Sequence, residues 1–196
     1  SSAASDVYKR QGIITAGINR SSGLMKAPAS GGNTPSFMAV RGLDSCSGDN
    51  CSQAFNDATL DKLEFNQEVF DTDGCYDTSN FRFTPNKAGF YFIEAMFKLR
   101  THTDRFITSD SHLRFNGGSS ATDILAGHRH HGDQSGGYTY DAECNVHLSA
   151  IKEFNGTSDY VEVWCNMNIT VYSPIFSGGN TTNTWRQSMF HGFRLG

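Results

Sequence analysis

A chain of 196 residues with 20 glycines, 12% aromatic and only 18% charged residues is the size of one domain, or one domain with an arm, and is long enough to bury a substantial core. Its net charge of -4, with lysine and arginine scattered along the chain, excludes the concentrated basic surface that a nucleic-acid partner requires. No apolar run reaches the length of a membrane-spanning helix and no basic, apolar, small-residue series forms a signal peptide, so membrane insertion is not expected.

Residues 1–34 are rich in Ser, Ala and Gly, with short apolar islands at residues 12–16 and at Leu24-Met25. Such a composition buries little by itself and reads as an extended arm or linker. From Pro35 to the end, residues 35–196, the pattern is one of strands: 36–41, 60–70, 80–83, 89–100, 111–116, 122–131, 138–153, 160–171 and 186–195. Turn residues fall between them, at Asp73-Gly74, Asn116-Gly117, Gly136-Gly137, Asn155-Gly156 and Gly178-Gly179-Asn180. No long helix-period stretch interrupts the series. The expected class is therefore all-β, a jelly-roll β-sandwich of two antiparallel sheets with an N-terminal extended arm.

In residues 89–99, alternation puts Tyr91, Ile93, Ala95, Phe97 and Leu99 on one face and Phe90, Phe92, Glu94, Met96 and Lys98 on the other. An outer sheet face in water is ordinarily polar. Phe90, Phe92 and Met96 therefore need a second cover, either the chain's own arm or a subunit partner.

The segment from Phe65 to Phe97, FNQEVFDTDGCYDTSNFRFTPNKAGFYFIEAMF, spaces Phe65, Asp71, Tyr76, Phe83, Gly89 and Tyr91 in a way that resembles the signature of the complement C1q globular head. That head belongs to the C1q/tumour necrosis factor superfamily of trimeric jelly rolls. Pro35-Ser36-Phe37-Met38-Ala39 resembles the family's opening strand, Phe190-His191-Gly192-Phe193-Arg194-Leu195 its closing strand, and residues 146–163 a strand, turn and strand between them. Ile93 and Ala95 stand where the family pattern has aromatics. The wording Phe-Asp-Thr-Asp-Gly-Cys-Tyr-Asp, then Phe-Thr-Pro and Ala-Gly-Phe-Tyr-Phe, is most similar to C1q-like domains of marine bacteriophage fibre and virion proteins. The resemblance implies a homotrimer in a phage particle, with the arm on other virion proteins and the head on a host-surface glycan or receptor. The alternative it leaves is a secreted animal C1q/TNF-like recognition or signalling protein.

Several residues are candidates for chemistry. His128 and His130, within Gly127-His128-Arg129-His130-His131, share a strand face, and three copies about a trimer axis would surround a transition metal with six imidazoles. Solvated histidines are the bland explanation. Asp71 and Asp73, near Asp77 and Asn80, offer oxygens to calcium but also to turn formation. A divalent metal, calcium or a histidine-bound transition metal, is thus the one cofactor these residues suggest. Trp185 and Asn180 in a polar loop, with Tyr138 and Arg129, are candidate ligand contacts, whereas Trp164 reads as core. Five cysteines, Cys46, Cys51, Cys75, Cys144 and Cys165, leave at least one unpaired and read more simply as small hydrophobes than as disulfides. Asn19, Asn155, Asn168 and Asn180 begin Asn-x-Ser/Thr triplets, which matter only in a secretory setting. No nucleophile elbow, zinc-protease motif or phosphate loop occurs, so the expectation is a binding protein and not an enzyme.

Overall fold

The computed structural model describes residues 35–42, 52–55, 58–100, 106–118, 124–130, 143–169, 175–178 and 188–195. They form thirteen strands and no helix: β1 (Ser36–Val40), β2 (Ser52–Ala54), β3 (Leu60–Lys62), β4 (Gln67–Asp71), β5 (Tyr76–Asp77), β6 (Arg82–Phe83), β7 (Gly89–Arg100), β8 (Phe106–Phe115), β9 (Ile124–His130), β10 (Glu143–Phe154), β11 (Val161–Ile169), β12 (Ile175–Ser177) and β13 (Met189–Arg194).

Two antiparallel sheets result. The first runs β2-β12-β7-β13-β1-β4, and β10 pairs along the other edge of β7. The second runs β5-β6-β11-β8-β9, with β3 also on β11. The chain changes sheet between β2 and β3, β3 and β4, β4 and β5, β6 and β7, β7 and β8, β9 and β10, β10 and β11, and β11 and β12, which is the winding of a jelly roll.

The inner faces supply the core. Tyr91, Ile93, Ala95, Phe97 and Leu99 of β7 are buried, as the alternation requires, and face Val161, Val163, Cys165 and Met167 of β11 within one cluster. The spaced aromatics of residues 65–91 meet there. Phe37 stacks on Phe83 at 4.2 Å and on Tyr76 at 5.1 Å, with Phe190 edge-on at 4.9 Å. Tyr76 Oη donates to Phe65 O at 2.8 Å and Tyr91 Oη to Lys87 O at 2.8 Å, so neither buried ring leaves its hydroxyl orphaned. Full burial of one such ring contributes about 1.5–3 kcal/mol. Cys75, Cys144 and Cys165 are buried.

Two expectations are corrected. The single strand over 60–70 is two strands in different sheets, because β3 pairs β11 and β4 pairs β1. The crossing is anchored by Leu63 and Phe65, both fully buried between the sheets. Trp164 is not core. It lies on the outer face of the second sheet with Lys62 Nζ 5.6 Å and Arg114 Cζ 4.9 Å from its ring, and its Nε1 donates to Glu162 Oε2 at 2.9 Å. Its neighbours Val163 and Cys165 take the core side, so strand parity leaves Trp164 no inward position.

Candidate assembly interface

The period of two that buries Tyr91 and Ile93 sends Phe90, Phe92, Glu94 and Met96 to the outer face of the first sheet. Register then builds a surface around them. Phe193 of β13 and Ile151 of β10 flank Phe92, Met189 and His147 flank Met96, and Glu153 lies opposite Phe90. On the far side β1 places Met38 beside His191, and β4 places Phe70 beside Met38. The Phe92 and Phe193 rings pack at 5.5 Å.

This surface is more apolar than a solvated sheet should be. Ile151 is 63% exposed, Phe90 53%, Phe70 45%, Phe193 42% and Met96 37%, with Val69 and Leu195 also exposed. Since a large aromatic carries about 150–250 Å², these side chains together leave on the order of 500 Å² of apolar surface in water, at the upper end for the largest patch of a monomer. Of the three residues expected here, Phe90 and Met96 are exposed and Phe92 is partly covered by its neighbours. Ile151, Phe193 and Phe70 were missed by local pattern, because only cross-strand register reveals that they join Phe92 and Met38.

A polar group sits inside this apolar face. Glu94 lies on β7 directly opposite His191 of β13 and one diagonal from His147 of β10. His147 Nε2 donates to Glu94 Oε1 at 2.5 Å and His191 Nε2 to Glu94 Oε2 at 2.6 Å. A carboxylate only accepts, so each imidazole carries its hydrogen on Nε2. Burial favours the neutral carboxyl of Glu94, but the hydrogen bonds from His147 and His191 outweigh it and hold the group below its ordinary 4.5. No motif announces this cluster, whose members are scattered along the sequence.

The other candidates are dispersed. In β9, His128 is at register with Asp110 of β8, Arg129 with Ser109 and His130 with Thr108. Tyr138, Asn180 and Trp185 lie outside the described residues, as does the arm. Asp71 accepts from Tyr76 N at 2.6 Å and from Asp73 N at 3.1 Å, while Asp77 accepts from Ser79 Oγ, Ser79 N and Asn80 Nδ2. These oxygens build turns, and those bonds hold Asp77 down to about 2. Among the described residues, no group of three or more His, Cys, Asp or Glu side chains is arranged to hold a metal ion, and no helix is long and apolar enough to cross a membrane.

No family model and no curated protein sequence matches the chain. Among solved structures it is similar to murine APRIL at pH 5.0, with 10% identity and a TM-score of 0.50 over 83% of this chain and 100% of that chain. It is also similar to the globular domain of zebrafish complement 1qA protein, with 14% identity and a TM-score of 0.46 over 84% of this chain and 98% of that chain. At these identities the likeness is one of fold, the C1q/TNF-like jelly roll.

Proposed function

We propose that this chain is the head of a homotrimeric phage fibre, spike or capsid decoration, a virion structural protein that attaches the particle to a host-surface glycan or receptor. Residues 1–34 join it to other virion proteins. The observation that carries the trimer is the outer face of the first sheet. A stable interface buries about 800 Å² per partner with an apolar centre and a polar rim, and the exposed patch is large enough to be that centre. Two sister copies are its occupant, as in the trimeric family that residues 65–97 resemble, on a patch that spans five strands. The phage setting rests on the wording of residues 70–92.

The function is binding without turnover. Contacts to a ligand are carried by the segments between strands, residues 117–120, 131–137 and 178–184, where sequence can vary without disturbing the sheets. Three heads on one stalk multiply weak contacts to a repeated glycan through effective concentration. Light scattering at micromolar concentration should give three times the 21.5 kDa chain mass. An Ile151→Asp/Phe193→Asp double variant should stay folded by circular dichroism, run as a monomer and lose roughly 100-fold in adhesion to host cells. A wild-type monomer would sink the proposal.

The second reading, a secreted animal recognition protein, is favoured by Asn155 of the Asn155-Gly156-Thr157 triplet, which stands exposed on the turn between β10 and β11. Flanking genes decide between the two: virion genes support the first, and a signal-peptide exon the second.

A further inference from the structure

A face that is buried when copies assemble normally excludes ionisable groups from its centre. Here Glu94, one fifth exposed, is set among Phe92, Met96, Met189, Phe193 and Ile151 with an imidazole on each carboxylate oxygen. His191 is one fifth exposed and 6.4 Å from the Phe92 ring, whereas His147 is still more than half exposed. Closure of the trimer removes the remaining water from all three.

We propose that the His147–Glu94–His191 cluster couples trimer closure to proton uptake, so that the assembly tightens as the medium is acidified. The inference rests on the trimer reading above. With both imidazoles neutral the cluster carries one net negative charge, and three such clusters are buried when three copies meet. Uncompensated charge is costly to desolvate. One proton on either imidazole converts the cluster into a neutral imidazolium–carboxylate arrangement without moving an atom, since each Nε2–H already points at an oxygen. Closure therefore favours the protonated cluster, and by linkage protons favour closure.

The surroundings leave this carboxylate little other compensation. On β7 the nearest cation is Lys98, whose Nζ is bound to Glu143 of β10 at 2.5 Å, and Arg100 lies opposite that same Glu143. On β10, Glu153 lies opposite Phe90 and adds negative charge. On β13, Arg194 donates from Nε and Nη2 to Ala88 O. β1 contributes no charged residue, and β4 contributes Glu68 and Asp71, both anionic.

The test is a sedimentation-velocity dilution series of the full chain at pH 8 and pH 6. The concentration at half-dissociation should fall by roughly tenfold or more at the lower pH, as fractional uptake of a proton per subunit requires. Glu94→Gln keeps the shape but removes the charge to be neutralised, and should abolish or reverse that shift. His147→Gln/His191→Gln should abolish it too. Calorimetric dilution of the wild type in buffers of different ionisation heat counts the protons directly and needs no variant. A trimer whose midpoint and proton count do not change overturns this inference alone, as does a Glu94→Gln trimer with the wild-type shift. A monomer at both pH values overturns the trimer reading and this inference with it.

Discussion

Asn155 closes the turn between β10 and β11 by accepting from Thr157 N, Ser158 N and Asp159 N on one carboxamide oxygen at 2.9–3.1 Å. That leaves Gly156 with φ of 73° and its α-carbon pressed against the Lys87–Ala88 backbone. A β-carbon there would collide with Ala88 N and Lys87 C, neither of which is a flexible side-chain end. Gly156→Ala combines left-handed strain with backbone displacement, and should lower stability by about 2–4 kcal/mol in urea denaturation. A loss below about 0.5 kcal/mol, the ordinary scatter of surface substitutions, would show that the two turns move apart freely. The Asn-Gly pair made this turn legible in the sequence. The need for the missing β-carbon was not, because the obstructing backbone belongs to a different turn.

At the scale of the element, the outer face of the second sheet shows what strand parity can and cannot reveal. Trp164 is a large apolar residue in a strand, and composition alone sends it inward. Parity puts it outward beside Glu162, and the neighbouring strands then cover both: Lys62 Nζ at 2.9 Å, and Arg82 through Nε at 3.0 Å and Nη2 at 2.7 Å, donate to Glu162 Oε1. The partners come from β3 and β6, so the arrangement depends on β3 leaving the first sheet. Reading 60–70 as one strand hid it.

Burial by itself would raise the Glu162 carboxyl, yet the bonds from Lys62, Trp164 and Arg82 hold it below its ordinary 4.5. A lowered carboxyl contributes stability in full above about pH 4.5 and loses it as pH falls through the folded-state value. Glu162→Gln should therefore cost about 2–3 kcal/mol at pH 7, toward the low end for a broken buried pair because Lys62 and Arg82 stay partly hydrated. In acid the two proteins should converge. Urea midpoints at pH 7 and pH 3.5 check both statements, and a difference that persists undiminished in acid would contradict the linkage.

For the molecule as a whole, the core and the outer face come from one alternation. From Phe90 to Leu99 inward and outward residues alternate, and the inward set lies in the aromatic centre of the sandwich. The outward set becomes a surface only when β10 and β13 are placed beside β7, and that placement is a matter of long-range pairing that no window of sequence contains. Under the proposed trimer, folding and assembly are thermodynamically one problem. If closure hides the patch, the folded trimer is linked to free unfolded chains by mass action, and apparent stability must rise with concentration. Each tenfold increase in chain concentration is worth about 0.9 kcal/mol per subunit for a three-chain equilibrium, two-thirds of the 1.4 kcal/mol that a decade represents. For a chain of this size that moves the midpoint of thermal unfolding upward by about 2–4 °C per decade. Scanning calorimetry from about 1 to about 100 μM, a range that brackets the micromolar affinities of weaker interfaces, should show this climb in the wild type. The Ile151→Asp/Phe193→Asp variant should show a flat line. A flat wild-type line would mean that the face stays open in solution and that the sandwich stands without its sisters.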